Sequence, residues 1–136
     1  MFDGAFEALQ IFSSLNIRMV VITNGTSQNQ RGKLDRFNLN KFFEFVLVDT
    51  EVGFSKPDIR IYELALKKLS LQPNEVWMIG DNLVWDIEAP QKLGIYSVWN
   101  DFKQEGLPVN SSIIPDKTIY SVSALAKEIK ILSQQY

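Results

Sequence analysis

Carboxylates, one lysine and a hydroxyl–amide pair stand in this sequence where phosphate chemistry would need them. Asp81 and Asp86, five residues apart, follow the apolar run Val76-Trp-Met-Ile79 and Gly80. A short, wholly apolar run suits a strand buried on both faces of a parallel sheet. Ligands of open α/β sheets bind at the carboxyl ends of such strands. A tight loop would bring the second carboxylate toward the first. Two converging carboxylates repel unless a cation or base lies between them. Mg²⁺ meets that need, because it takes a few carboxylate oxygens, keeps several waters and bridges to phosphate.

Thr23-Asn24-Gly25 and Lys56-Pro57 add the rest. A hydroxyl and backbone amides can hold phosphate oxygens, and a lysine can neutralise developing charge. Each residue has a bland alternative: Thr23 and Asn24 as turn formers, Lys56 as a solvated lysine, Asp81 as a helix cap and Asp86 as a surface acid. Their gathering on one edge of one sheet is what argues for function, and the chemistry it suggests is phosphoryl transfer.

Composition narrows the field. The chain has 136 residues, enough for one domain with a real core, expected over 1–136. A net charge of −2 with no basic cluster gives no electrostatic case for nucleic acid. Without cysteine, disulfides, zinc–thiolate sites and thiol catalysis are excluded. Without histidine, the commonest general base and metal ligand are gone. No stretch is long and apolar enough to span a membrane, and no signal-peptide pattern opens the chain, so a soluble, cytoplasmic protein is expected.

The elements that must position these residues follow from periodicity. Ala5, Ala8, Leu9, Phe12 and Leu15 recur at helical spacing. Met19–Ile22 reads as a buried strand, residues 27–37 as a surface helix with Leu34 and Phe37 inward, and Phe42–Val48 as a strand ending at Asp49. Thr50–Ser55 reads as a loop. Pro57 suits a first helical turn, which puts Lys56 at the mouth of a helix with Tyr62, Ala65, Leu66 and Leu69 inside. Pro90 to Gly94 predicts a short helix, Ile95–Trp99 a strand and Ala124–Leu132 a closing helix, while residues 100–117 read as loop. Strands alternating with helices predict a three-layer αβα, Rossmann-like parallel sheet.

Val20-Val-Ile-Thr-Asn-Gly25, Gly53-Phe-Ser-Lys-Pro-Asp58 and Ile79-Gly-Asp-Asn-Leu-Val-Trp-Asp86 together resemble the second, third and fourth motifs of the haloacid dehalogenase-like (HAD) hydrolase superfamily, in the family's order. The resemblance implies Mg²⁺-dependent hydrolysis of a small phosphorylated metabolite through an aspartyl-phosphate. It implies that Thr23 binds the phosphoryl group, helped by the backbone of Asn24. Lys56 would steady the phosphate, Asp81 would hold Mg²⁺, and Asp86 would support the metal.

The family's first motif, an Asp-x-Asp on an N-terminal strand that carries the nucleophile, has no counterpart here. Asp3-Gly4 has no strand before it and matches the loop returning from the family's cap domain. The chain therefore resembles the C-terminal part of a capped enzyme, truncated and inactive alone. A non-catalytic HAD-like binding or assembly module is the alternative. A receiver domain expects its acidic pair and lysine in another order. In the family the first strand lies between the strands ending at Thr23 and Gly80. The expected remedies are direct pairing of those two strands, or a second copy or N-terminal segment filling the slot.

Overall fold

A computed structural model describes residues 4–134, so Asp3 of the expected cap-return loop lies outside the described residues. The apolar stripe at the start forms α1 (Ala5–Ser14), burying Ala8 and Phe12. Then come β1 (Val21–Thr23), α2 (Ser27–Arg36), β2 (Val46–Val48), α3 (Asp49–Val52), α4 (Ile59–Leu69) and β3 (Trp77–Gly80). A π-helical stretch, Leu83–Glu88, runs into α5 (Ala89–Lys92), followed by β4 (Tyr96–Asn100), β5 (Lys117–Ile119) and α6 (Val122–Ser133). No helix of the described residues is long and apolar enough to cross a membrane.

All pairings are parallel, as helix–strand alternation requires. The sheet, however, lies in two pieces, β1–β2 and β3–β4–β5. Two apolar clusters pack against the sheet. Ala8 and Phe12 of α1 and Leu125 and Ala126 of α6 pack with Val98, Met19 and Ile79 on one face. Ile61, Tyr62 and Ala65 of α4 pack with Leu47, Ile22 and Met78 on the other. The α4 layer spans strands of both pieces, while the α1–α6 layer packs on β3, β4 and β5 and reaches only Met19, just before β1.

Several expectations are corrected. β1 and β3 form no ladder in the described residues, so the gap does not close by direct pairing. Nor is β3 buried on both faces. Trp77 is 50% exposed, stacked on Tyr96 at a centroid distance of 4.6 Å, and Met78 and Ile79 are only partly buried. The strand enclosed on both sides is β4, where Ser97 to Asn100 are all buried between β3 and β5.

Phe37 points outward, 39% exposed under the Arg36 guanidinium. The chain turns at Asn38 (φ 56°), so Leu39 makes the inward contact instead. Asn40–Phe42 is a 3₁₀ turn, which delays the strand to Val46, and α3 replaces the start of the expected loop. α4 begins two residues after Pro57 because the Asp58 side chain accepts the Arg60 N–H and caps it. β5, at the far end of the region read as loop, is a three-residue edge strand. Its Lys-Thr-Ile sequence offers too short a period to detect.

Candidate functional site

The expected site residues converge on the carboxyl ends of β1 and β3 and the loop before α4. Thr23 ends β1 and is partly buried. Its hydroxyl lies 3.4 Å from the Asn24 carbonyl, too long to hold it firmly, so Oγ1 can serve another acceptor or donor. Asn24 does more than turn the chain. Its Nδ2 donates to the Lys56 carbonyl and its Oδ1 accepts the Lys56 N–H, both at 3.0 Å. This two-bond clamp crosses 32 residues of sequence and fixes the backbone from which the Lys56 side chain springs.

From there Lys56 Nζ reaches Asp86 Oδ1 at 2.9 Å, with the side chains 11% and 5% exposed. The other carboxylate oxygen of Asp86 accepts the Asn82 N–H at 3.0 Å. Asp86 is therefore neither a solvated surface acid nor free. Both its oxygens are engaged, and a buried charge so paired is held at a fixed place.

Local winding brings Asp86 there. The Asn82 side chain caps the following turn, accepting from the N–H groups of Val84 and Trp85 at 3.1 and 2.9 Å. The π-helical stretch that follows carries Asp86 back over Gly80. A side chain at Gly80 would overlap the Asp86 carboxylate, so glycine is required for close approach rather than for φ. The Tyr62 hydroxyl donates to the Trp85 carbonyl and ties the turn to α4. Burial first, and then the charge of Asp86, push the Tyr62 phenol up, keeping it a neutral donor.

Asp81 follows β3 with its side chain exposed and its carbonyl accepting from Trp99 Nε1 at 3.0 Å. It opens on a pocket of about 170 Å³ shared with Trp99, Asn100 and Asp101. Asn100 Oδ1 is buried there without a hydrogen-bond partner. The carboxylate and amide oxygens of the pocket lining are ligands a hard cation takes, although Lys103 lines the pocket as well. Among the described residues no three His, Cys, Asp or Glu side chains gather as a metal cage. What remains is the exposed Asp81 carboxylate, with Asn100 among the residues lining the same pocket. That fits Mg²⁺, which binds through one or two carboxylates and keeps most of its waters.

Sequence reasoning assigned no role to Asn82, Trp99, Asn100 or Asp49. Asp49 does follow β2 directly, the position that marked Asp81.

The sequence profile of the haloacid dehalogenase-like hydrolases matches residues 1–100. Phosphoserine phosphatase of Thermus thermophilus is 36% identical over 85 residues, 62% of this chain and 34% of that protein. Glyceraldehyde 3-phosphate phosphatase of Methanocaldococcus jannaschii aligns with 98% of the chain at 27% identity, covering 58% of its own length. The HAD-hydrolase YfnB of Bacillus subtilis, solved bound to magnesium, superposes with a TM-score of 0.84 at 26% identity, over 94% of this chain and 55% of that one. The chain thus spans 34% to 58% of these relatives.

Proposed function

Because the chain belongs to the haloacid dehalogenase-like hydrolases, we propose that its site serves Mg²⁺-dependent hydrolysis of a small phosphorylated metabolite. The observation that carries this reading is the placement of Lys56. Its ammonium is held by Asp86, its backbone by Asn24, and both lie on the strand-end edge with Thr23 and Asp81. In this reading the Thr23 hydroxyl and the Asn24 backbone hold phosphate oxygens, and Lys56 neutralises their charge. Asp81 would hold Mg²⁺, with Asp86 supporting. The ion would supply charge neutralisation for the phosphoryl oxygens.

No Asp-x-Asp occurs anywhere in the 136 residues. In this reading the attacking aspartate of an aspartyl-phosphate route comes from an Asp-x-Asp segment outside these 136 residues. The free edges of β1 and β3 suit a strand entering between them, from an N-terminal segment or a second copy. A second reading, motivated by the missing Asp-x-Asp pattern, is a HAD-like module that binds without turnover.

Hydrolysis of p-nitrophenyl phosphate with Mg²⁺ tests the proposal. The chain alone is expected to be inactive, and adding a segment bearing Asp-x-Asp should create turnover that Asp81→Ala abolishes. Turnover by the chain alone, abolished by Asp81→Ala, would show that the nucleophile is already present. Phosphate binding without turnover in the completed assembly would favour the binding module.

A further inference from the structure

Resting on the phosphoryl-site reading above, we propose that Asp49 is a positioning residue that holds the Thr23–Gly25 loop in its phosphate-receiving form. The pairing of Thr23 with Val48 puts Asp49, the next residue, beside the loop that leaves β1. Its Oδ1 accepts the Gly25 N–H at 2.9 Å and the Thr50 N–H at 2.8 Å. The Thr50 hydroxyl donates to the Gly25 carbonyl at 3.3 Å. Consecutive residues thus grip both backbone groups of Gly25.

Gly25 is free to leave this conformation once that grip is lost, because glycine is the most permissive residue of the backbone. Its φ is +138°, a value L side chains rarely adopt, and a Cβ there would press on the Gln30 amide. Gln30 Nε2 meanwhile donates to the Asn24 carbonyl at 3.3 Å. On the other side, the Asn24 side chain is bonded twice to the Lys56 backbone. The Asn24 peptide is thereby clamped between α3 and the Lys56 loop, and Asp49 is the charged end of the clamp.

Charge alone would argue against a carboxylate in this place, because it would repel an incoming phosphate. Two N–H groups converging on one carboxylate oxygen make charge-assisted bonds, stronger than neutral ones. The geometric and electrostatic roles therefore predict opposite signs when Asp49 is replaced.

The test is a titration of the chain with inorganic phosphate, read from the amide signals of Asn24 and Gly25 by NMR, beside a thermal melt. Asp49→Ala is expected to weaken phosphate binding about tenfold, the size of a lost charge-assisted hydrogen bond. Asp49→Asn, which keeps a carbonyl oxygen acceptor, should bind within about threefold of wild type. Tighter binding by both variants would mean that Asp49 acts by charge and would overturn the proposal. A lowered melting temperature with unchanged phosphate affinity would reduce Asp49 to a structural role and would also overturn it. Thr23→Val and Lys56→Ala separate the underlying reading. If wild type binds no phosphate, or binds it and neither variant weakens it, the phosphate-site reading fails and the role of Asp49 falls with it. If they weaken it and Asp49→Ala does not, only the role of Asp49 falls.

Discussion

Asp86 is buried at 5% side-chain exposure against an ammonium that is itself 11% exposed, so removal of one partner strands the other charge. Breaking such a buried pair from one side costs about 3–5 kcal/mol, whereas replacing both partners with apolar residues is often neutral. Urea unfolding should therefore find Asp86→Ala destabilised by about that amount, with much of it recovered in Lys56→Met/Asp86→Leu. A double variant as unstable as the single one would mean that packing, not charge, holds this corner. Gly80→Ala should act through the same contact, lowering the melting temperature because its methyl displaces the Asp86 carboxylate. Asp81 differs in having an exposed side chain. Calorimetry should show weak Mg²⁺ binding, since water fills most of the coordination shell, and Asp81→Asn should remove it. Tight binding indifferent to Asp81→Asn would count against Asp81 as the ligand.

Short contacts between elements, rather than long ladders, carry the framework around the site. α2 buries no residue of its own. It is tied to α3 by Arg31, whose Nε and Nη2 donate to the Glu51 carboxylate at 2.7 and 2.6 Å, with the Ser27 hydroxyl donating as well. Those bonds, Arg31 first and Ser27 second, pull the Glu51 pKa down from the ordinary 4.5 to about 2. At the start of α4, Arg60 similarly lowers Asp58 to about 2, through its side chain first and its backbone N–H second. A carboxylate whose folded pKa is depressed contributes stability above its unfolded pKa and loses it as pH falls through the folded one. Stability should therefore drop between about pH 4.5 and 2. Acid titrations of Glu51→Gln should show a shallower fall across that window. Both groups are solvent-exposed, so added salt should shrink the effect.

The described residues form two parallel pieces of sheet, joined by the α4 layer on one face and by the Asn24–Lys56–Asp86 chain of contacts. Among the described residues β1 has a ladder partner only in β2, and β3 only in β4. Hydrogen exchange should accordingly protect the amides of β4 most, with those of β1 and β3 that face the gap exchanging faster. If another polypeptide completes the sheet, rising protein concentration or an added N-terminal segment should slow exchange at Val21–Thr23 and Trp77–Gly80. The outer edge of β5 would stay as it was. Protection that responds to neither addition would mean that the gap takes no strand.

The order of elements was legible because period 3.6 and short apolar runs are local properties. α1, α4, α6 and β4 stand close to where spacing put them. The residues proposed for the site were singled out for a related reason, since the ends of apolar strands mark where a parallel sheet presents its ligand edge. Burial was not local. Val76–Ile79 is as apolar as an enclosed strand, yet it lies beside a gap, because enclosure depends on which strands flank it. Phe37 faces outward because Asn38 turns the chain before Leu39, a matter of one backbone angle. The pairing of Lys56 with Asp86 and the grip of Asp49 on Gly25 join residues 30 and 24 positions apart. No spacing rule encodes them. Only the packing of β1 against β2, and of the turn after β3 over Gly80, brings those side chains within hydrogen-bonding distance.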